Sequence, residues 1–271
     1  MTDLADTTAK NLTLLRETRP LVHSITNLVV MHLTANVLLA AGASPVMAHA
    51  ENEVAEMVGH AGALVLNIGT LDDRLVQSMR VAGKQASSLN KPVVLDPVGA
   101  GATTLRTATA HNLLQEVRVG IVRGNASEIL ALARFQSGGR GVDAADSVAD
   151  AAEAARNLAR RCKTVVAVTG PEDLVTDGTR RILVRGGHAL MPLVSGTGCS
   201  ASVLTAAFHA VDPDPLSAAA SALAFFGVAG ELAGKRSPGP GTFMTNLLDA
   251  LYTLSPDEVR SRCRITELDP T

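Results

Sequence analysis

Ala63-Leu-Val-Leu-Asn-Ile-Gly-Thr70 and, after one segment of helical length, Pro92-Val-Val-Leu-Asp-Pro-Val-Gly-Ala-Gly101 decide the fold class. Each begins as an apolar run without alternation, the pattern of a strand buried on both faces. Each then breaks into polar and glycine-rich residues. The intervening Leu71–Leu89 reads as the helix that returns the chain for a parallel partner. Outward from this pair the rhythm repeats: Thr104–Val117 is a helix, Gly120–Val122 a strand, Ala126–Ala133 a helix, Asp146–Arg161 a helix and Thr164–Val168 a strand. Between Glu172 and Val194, Asp-Gly and Gly-Gly turns separate short runs, which predicts antiparallel strands at one edge. Helices follow at Thr197–Val211, Leu216–Gly234 and Thr242–Leu254, with prolines at the breaks. The expected architecture is α/β, a central mostly parallel sheet covered on both faces by helices. No repeat or compositional shift divides it, so 1–271 reads as one domain, with 1–19 as an N-terminal helix or extension and 255–271 as a C-terminal tail.

Composition narrows the function classes. Hydrophobic residues make up 46% and charged residues 18%, enough apolar side chain for a packed core rather than a disordered chain. A net charge of −2 with scattered basic residues argues against a nucleic-acid partner or a membrane-surface patch, and for a small-molecule one. Met1–Arg19 lacks the basic and apolar regions of a signal peptide. Leu216–Gly234 is interrupted by Ser217, Ser221 and Glu231 and reads as a packed helix rather than a membrane span. Cys162, Cys199 and Cys263 follow no metal or disulfide spacing and fit a reducing, cytoplasmic setting. None of the seven histidines has a metal-binding pattern, and none is given a catalytic role.

Ligands of open α/β sheets bind beyond the carboxyl ends of the strands. Five turns there carry the candidate chemistry: Asn67-Ile-Gly-Thr70, Asp96-Pro-Val-Gly-Ala-Gly101, Arg123-Gly-Asn-Ala-Ser-Glu128, Thr169-Gly170 and Ser195-Gly-Thr-Gly-Cys199. In the last, Gly196 and Gly198 expose backbone N–H groups at the positive end of a helix, where an oxyanion or phosphate fits. The alternative is an ordinary helix start capped by Thr197. There is no Walker lysine and no GxGxxG between an early strand and helix, so phosphate binding would rest on amides and a separate cation, for which Arg123 is the candidate. Asp96 and Glu128 are carboxylates that could hold Mg²⁺ through water, or could cap helices. Cys199, in the first helical turn, has its thiol pKa lowered by the helix dipole on this reading; base, nucleophile and packed side chain all remain open. Met47, after a glycine-proline turn, is either core filler or a thioether lining a flat heteroaromatic ligand.

Ile25-Thr-Asn-Leu-Val-Val30, Gly42-Ala-Ser-Pro-Val-Met47, Leu66–Thr70, Leu95–Thr103, Arg123–Glu128 and Ser195–Cys199 together resemble the hydroxyethylthiazole kinases of thiamine metabolism, in register from about Pro20 to Asn246. That resemblance implies a ribokinase-like fold and transfer of phosphoryl from MgATP to the hydroxyl of 4-methyl-5-(2-hydroxyethyl)thiazole. It also implies a homotrimer with active sites between subunits. Carried over, Asn27 and Met47 line the thiazole pocket, Gly196 contacts the substrate, Arg123 and Thr169 contact ATP, and Asp96 and Glu128 serve Mg²⁺. The catalytic loop is Gly196, Thr197, Gly198 and Cys199; the wider superfamily has aspartate as base where Cys199 stands, and cysteine is usual in this family. Bulk at Gly196 is expected to obstruct the phosphoryl path. Rival readings are a kinase of a pyrimidine or sugar alcohol, a nucleotide-dependent hydrate dehydratase, and a nucleotide-binding regulator without turnover.

Overall fold

The computed structural model describes residues 3–136 and 148–268. In chain order the elements are α1 (Leu4–Thr18), β1 (Leu21–Ile25), α2 (Met31–Ala41), β2 (Ser44–Val46), α3 (Val54–His60), β3 (Ala63–Asn67), α4 (Asp73–Ser88), β4 (Val93–Asp96) and α5 (Thr104–Glu116). They continue with β5 (Ile121–Asn125), α6 (Ala126–Gln136), α7 (Val148–Cys162), β6 (Val165–Thr169), β7 (Asp173–Thr176), β8 (Arg181–Arg185), α8 (Thr197–His209), α9 (Pro215–Lys235), α10 (Pro240–Thr253), α11 (Pro256–Arg262) and β9 (Arg264–Leu268). The sheet has nine strands in the order β2-β1-β3-β4-β5-β6-β7-β8-β9. The strands from β2 to β6 pair in parallel, and β7, β8 and β9 are added antiparallel. The expected mostly parallel sheet and antiparallel meander are both present, with the ends of the expected elements shifted by up to three residues and with β1, α2, β2 and α3 added to them. The expected helix start at Asp146 lies outside the described residues.

Successive side chains of a strand point to opposite faces, and in β3 this divides the core. Val65 joins Leu12, Val37, Leu204, Phe225 and Leu247, from α1, α2, α8, α9 and α10, on one face. Leu64 and Leu66 join Val58, Met79, Leu113, Ile129 and Leu158, from α3 to α7, on the other. Helix starts follow local chemistry: Asp72 accepts from the Leu75 N–H, Thr103 from Arg106 and Asp214 from Leu216. Ser255 and Glu258 form a capping box at the head of α11. Gly42, with φ 108°, ends α2 in the left-handed region that glycine adopts without strain.

Two expectations about chain ends are refined. Within the 1–19 segment Leu4–Thr18 is helix α1, and residues 1–2 lie outside the described residues. The 255–271 tail is not an appendage: α11 packs against α1, and β9 pairs with β8 from Arg185↔Arg264 to Arg181↔Leu268, adding the outermost strand at one end of the sheet. Residues 269–271 lie outside the described residues. Helix α9 is the one among the described residues long and apolar enough to cross a membrane, yet 78% of its apolar window is buried inside the protein. It is a core helix.

Candidate active site

All the parallel strands end on one edge of the sheet, and register places their last residues side by side. Asn67 of β3 stands opposite Asp96 of β4, and Asn125 of β5 opposite Thr169 of β6. The start of α8 comes down over this row, so the five glycine-rich and polar turns converge. Asp96 is fully buried; its Oδ2 accepts from Asn67 Nδ2 at 2.9 Å and Ser202 Oγ at 2.7 Å, and lies 3.7 Å from Arg123 Nη1. Arg123 Nη2 donates to the Thr169 hydroxyl. Two buried polar atoms in this cluster, Asp96 Oδ1 and Arg123 Nε, have no protein partner among the described residues. Buried polar atoms are normally satisfied, so such a pair points to a polar ligand.

Burial pushes the Asp96 carboxyl up to about 6; Arg123 opposes the shift and Glu128 adds to it. Glu128 is buried too, but its Oε1 accepts from the Gly99 N–H at 2.8 Å and its Oε2 from the Asn125 N–H at 2.9 Å. It therefore ties the turns after β4 and β5 together. Any contact with an ion would use its remaining lone pairs.

On the other flank Asn27 Nδ2 donates to Asn67 Oδ1 at 2.9 Å and to Cys199 Sγ at 3.6 Å, and Asn67 Nδ2 reaches Cys199 Sγ at 3.1 Å. Met47 follows β2 on the same sheet edge, one strand beyond Asn27, and is half-buried. The expectation of a lowered Cys199 pKa is overturned. Burial, and secondly the charge of Asp96, push the thiol up to about 11, outweighing the amides of Asn67 and Asn27 and the Arg123 charge. At neutral pH the group is an SH.

The glycine loop also departs from expectation. Gly196, at φ 92°, is the N-cap of α8, while the Thr197 hydroxyl turns back to the Met191 and Val194 carbonyls instead of capping. A Cβ on Gly196 would lie 2.9 Å from Leu33 Cδ2 and 3.0 Å from Val30 Cγ1, facing α2. At Gly198, by contrast, a Cβ would come within 2.8 Å of Arg123 Nη1. The guanidinium can lie against the first turn of α8 only because Gly198 has no side chain. The helix start and the cation thus face one space.

That space is a cleft of about 680 Å³ with Arg123, Thr169 and Gly198 at one end and Met191, Leu223 and Phe226 at the other, a volume suited to a nucleotide. Asp173 lines it as well; burial raises its carboxyl to about 6 against the Gly170 N–H and Arg123. A larger cleft of about 820 Å³ opens at the opposite end of the sheet, lined by Lys91, Arg118, Lys163 and His209. There helices α4, α5, α7 and α8 present their carboxyl ends, the wrong dipole pole for phosphate. Two of its cations are already engaged, Lys91 by the Ala61 carbonyl and Arg118 by Asn90.

Three contributors escaped the sequence reading. In the sequence Asn67 stands out only as part of a turn. Arg106 of α5 donates to the Ile68, Gly69 and Val98 carbonyls and holds the turns after β3 and β4 together. His188 stacks on Phe243 beside the nucleotide-sized cleft. Nothing local in the sequence marks these contacts, which apart from Arg106 to Val98 join residues far apart in the chain.

Comparison with known proteins gives a consistent result. A sequence model described as the hydroxyethylthiazole kinase family matches residues 12–257. A hydroxyethylthiazole kinase of Desulfotalea psychrophila is 58% identical over 271 residues, covering 100% of this chain and 99% of that protein. One of Methanocella arvoryzae is 55% identical over 254 residues, covering 94% and 96%. The structure of hydroxyethylthiazole kinase from Pyrococcus horikoshii OT3 superposes with a TM-score of 0.90 at 46% identity, over 97% of this chain and 99% of that one. Pyridoxal kinase from Staphylococcus aureus, at 16% identity and a TM-score of 0.59 over 92% and 99% of the two chains, shares the fold alone.

Proposed function

The chain belongs to the hydroxyethylthiazole kinase family, and with it phosphorylates hydroxyethylthiazole in thiamine salvage; from that premise we propose how its residues divide the work. ATP lies in the cleft lined by Thr169, Gly198 and Phe226, its phosphates toward Arg123 and the N–H groups of Gly196, Thr197, Gly198 and Cys199. The thiazole lies on the other flank, against Asn27, Met47 and the Gly196 backbone, with its hydroxyl directed at the γ-phosphate. The observation that carries this is the placing of two unpartnered buried groups, Asp96 Oδ1 and Arg123 Nε, directly under the helix start.

Mg²⁺ fits this donor set, since a hard ion that keeps most of its waters needs only one or two carboxylates. Asp96 would hold it, and Glu128 would do so through water. Bound there it would neutralise charge on the phosphates. Arg123 and the amides of the α8 start supply the protein's own share of that neutralisation, and alignment does much of the rest in a loose transition state. Cys199, protonated at neutral pH, acts as a neutral thiol that packs and orients rather than as the base. The alcohol proton can pass to a phosphoryl oxygen as the O–P bond forms, so no strong protein base is required.

We propose also that the protein works as a homotrimer with its sites between subunits. Leu28, 74% exposed, and Val29, 70% exposed, follow Asn27 directly, and Leu193, 66% exposed, precedes the Gly196 loop. Apolar side chains so placed at the rim of a site suit a covering subunit. A cytoplasmic setting accords with its three free thiols. ADP release measured across thiazole, pyrimidine and sugar alcohols tests the reading: turnover should depend on the thiazole alcohol, and preference for a pyrimidine or sugar would refute it. Light scattering tests the trimer, which a monomer at assay concentration would refute.

A further inference from the structure

A primary amide has two N–H donors and one oxygen with two acceptor sites. Asn67, 1% exposed at the end of β3, uses all of them. Its Nδ2 donates to Asp96 Oδ2 at 2.9 Å and to Cys199 Sγ at 3.1 Å. Its Oδ1 accepts from Asn27 Nδ2 at 2.9 Å and from the Gly69 N–H at 3.0 Å. The orientation of the amide is fixed by chemistry, because the Asp96 carboxylate cannot donate.

We propose that Asn67 is the positioning residue that sets the phosphate side of the site against the alcohol side. Of its three side-chain partners, Asp96 belongs to the phosphate and Mg²⁺ half, and Asn27 and Cys199 to the thiazole half. A single rigid amide joins the halves, and its own backbone is locked into the β3–β4 register opposite Asp96. The Gly69 contact keeps the amide from rotating away. Gly69 itself has room for no side chain, since a Cβ there would lie 2.6 Å from Asn27 Nδ2. In-line transfer depends on the separation of the attacking and accepting atoms, and misplacement by about 1 Å costs roughly 100-fold. Asn67 acts through its neighbours and need not touch substrate.

The inference rests on the kinase reading above, and the test separates the two. Thiazole-dependent ADP release is measured for the unsubstituted protein, Asn67→Ala, Asn27→Ala and the double variant. Asn67→Ala should lower kcat by about 10- to 100-fold with KM for ATP changed by less than about two-fold. In the Asn27→Ala background the same change should cost less than about three-fold, because contacting residues in one network couple. Asn67→Asp keeps the shape but loses both donors, and should lose at least as much rate; it serves if the alanine variant does not fold. Full activity of Asn67→Ala, or losses that simply multiply in the double variant, overturns the inference while leaving the kinase reading intact. Loss of fold in both Asn67 variants also overturns it, assigning the residue to stability. No thiazole-dependent turnover in the unsubstituted protein would overturn the kinase reading and this inference with it.

Discussion

Substituting Gly198 by alanine should separate catalysis from stability. The added Cβ would sit 2.8 Å from Arg123 Nη1, closer than real Cβ atoms approach, and a tight 3.1 Å from Nη2. Arg123 is 8% exposed and held by Thr169 and Asp96, so its guanidinium cannot swing into solvent and must instead be pushed off those partners. Two stability effects oppose each other. Alanine is favoured over glycine inside a helix by about 1 kcal/mol. A weakened charged hydrogen bond costs about 1.5–3 kcal/mol. The net loss should be about 0.5–2 kcal/mol, a small change in the melting midpoint for a chain of this length. In the transition state nothing offsets the misaligned cation: the same 1.5–3 kcal/mol appears as a roughly 10- to 150-fold fall in kcat, at 1.36 kcal/mol per decade. Steady-state ADP release and a denaturant melt on the same preparation read both quantities. A kcat within two-fold of the unsubstituted protein would refute the placing of the phosphoryl group between Arg123 and the α8 start, and a large melt shift with proportionate rate loss would assign the effect to folding.

Further outcomes follow from the same geometry. Since Cys199 is an SH with its pKa near 11, Cys199→Ala should lower kcat by only about 3- to 10-fold and leave the pH–rate profile between pH 6 and 9 unchanged in shape; a shifted limb in that window would restore the base role. The Asp96 pKa is raised on folding from 3.8 to about 6, so ionising it destabilises the fold by an amount that grows between those values and is fully present above them. Asp96→Asn, measured without metal, should therefore gain stability relative to the unsubstituted protein as pH rises from 4 to 6, levelling at about 1–3 kcal/mol, while losing turnover; a gain that shrinks with rising pH would refute the sign. Arg106→Ala removes the donor to three carbonyls and should cost about 1–3 kcal/mol in a denaturant melt, with a neutral result showing that water replaces it.

Strands β3 to β6 were legible because runs such as β3 and β4 carry no alternation and end in polar turns, features set by the chain locally, whereas the parallel β1 and β2 were not read. The turns themselves were legible for the same reason, and their convergence followed from the rule that parallel strands share a carboxyl edge. What stayed hidden was set by distance. The Cys199 reading counted the helix dipole, which lies within the local sequence, but not the burial or the Asp96 charge supplied by a different strand. Which of Gly196 and Gly198 lies against Arg123 was hidden too, because only the packing of α2 and Arg123 around α8 decides it. Strand β9 was missed because Arg264-Ile-Thr-Glu-Leu268 is short and half charged, and is a strand only where β8 offers it an edge.

The pairing of the two ends of the fold bears on how the molecule can be made. Helix α1 leaves the ribosome before any of the sheet, yet its main neighbours are α9 and α11, and Arg260 of α11 bonds Asp6 of α1 at 2.7 Å. Until α11 and β9 have been synthesised, α1 lacks that partner and β8 presents a bare edge to whatever strand it meets. Chains cut short by an early stop or a stalled ribosome would therefore carry two open surfaces at once, one helical and one strand-forming. Such fragments would stand apart from the finished enzyme as targets for chaperones and proteases.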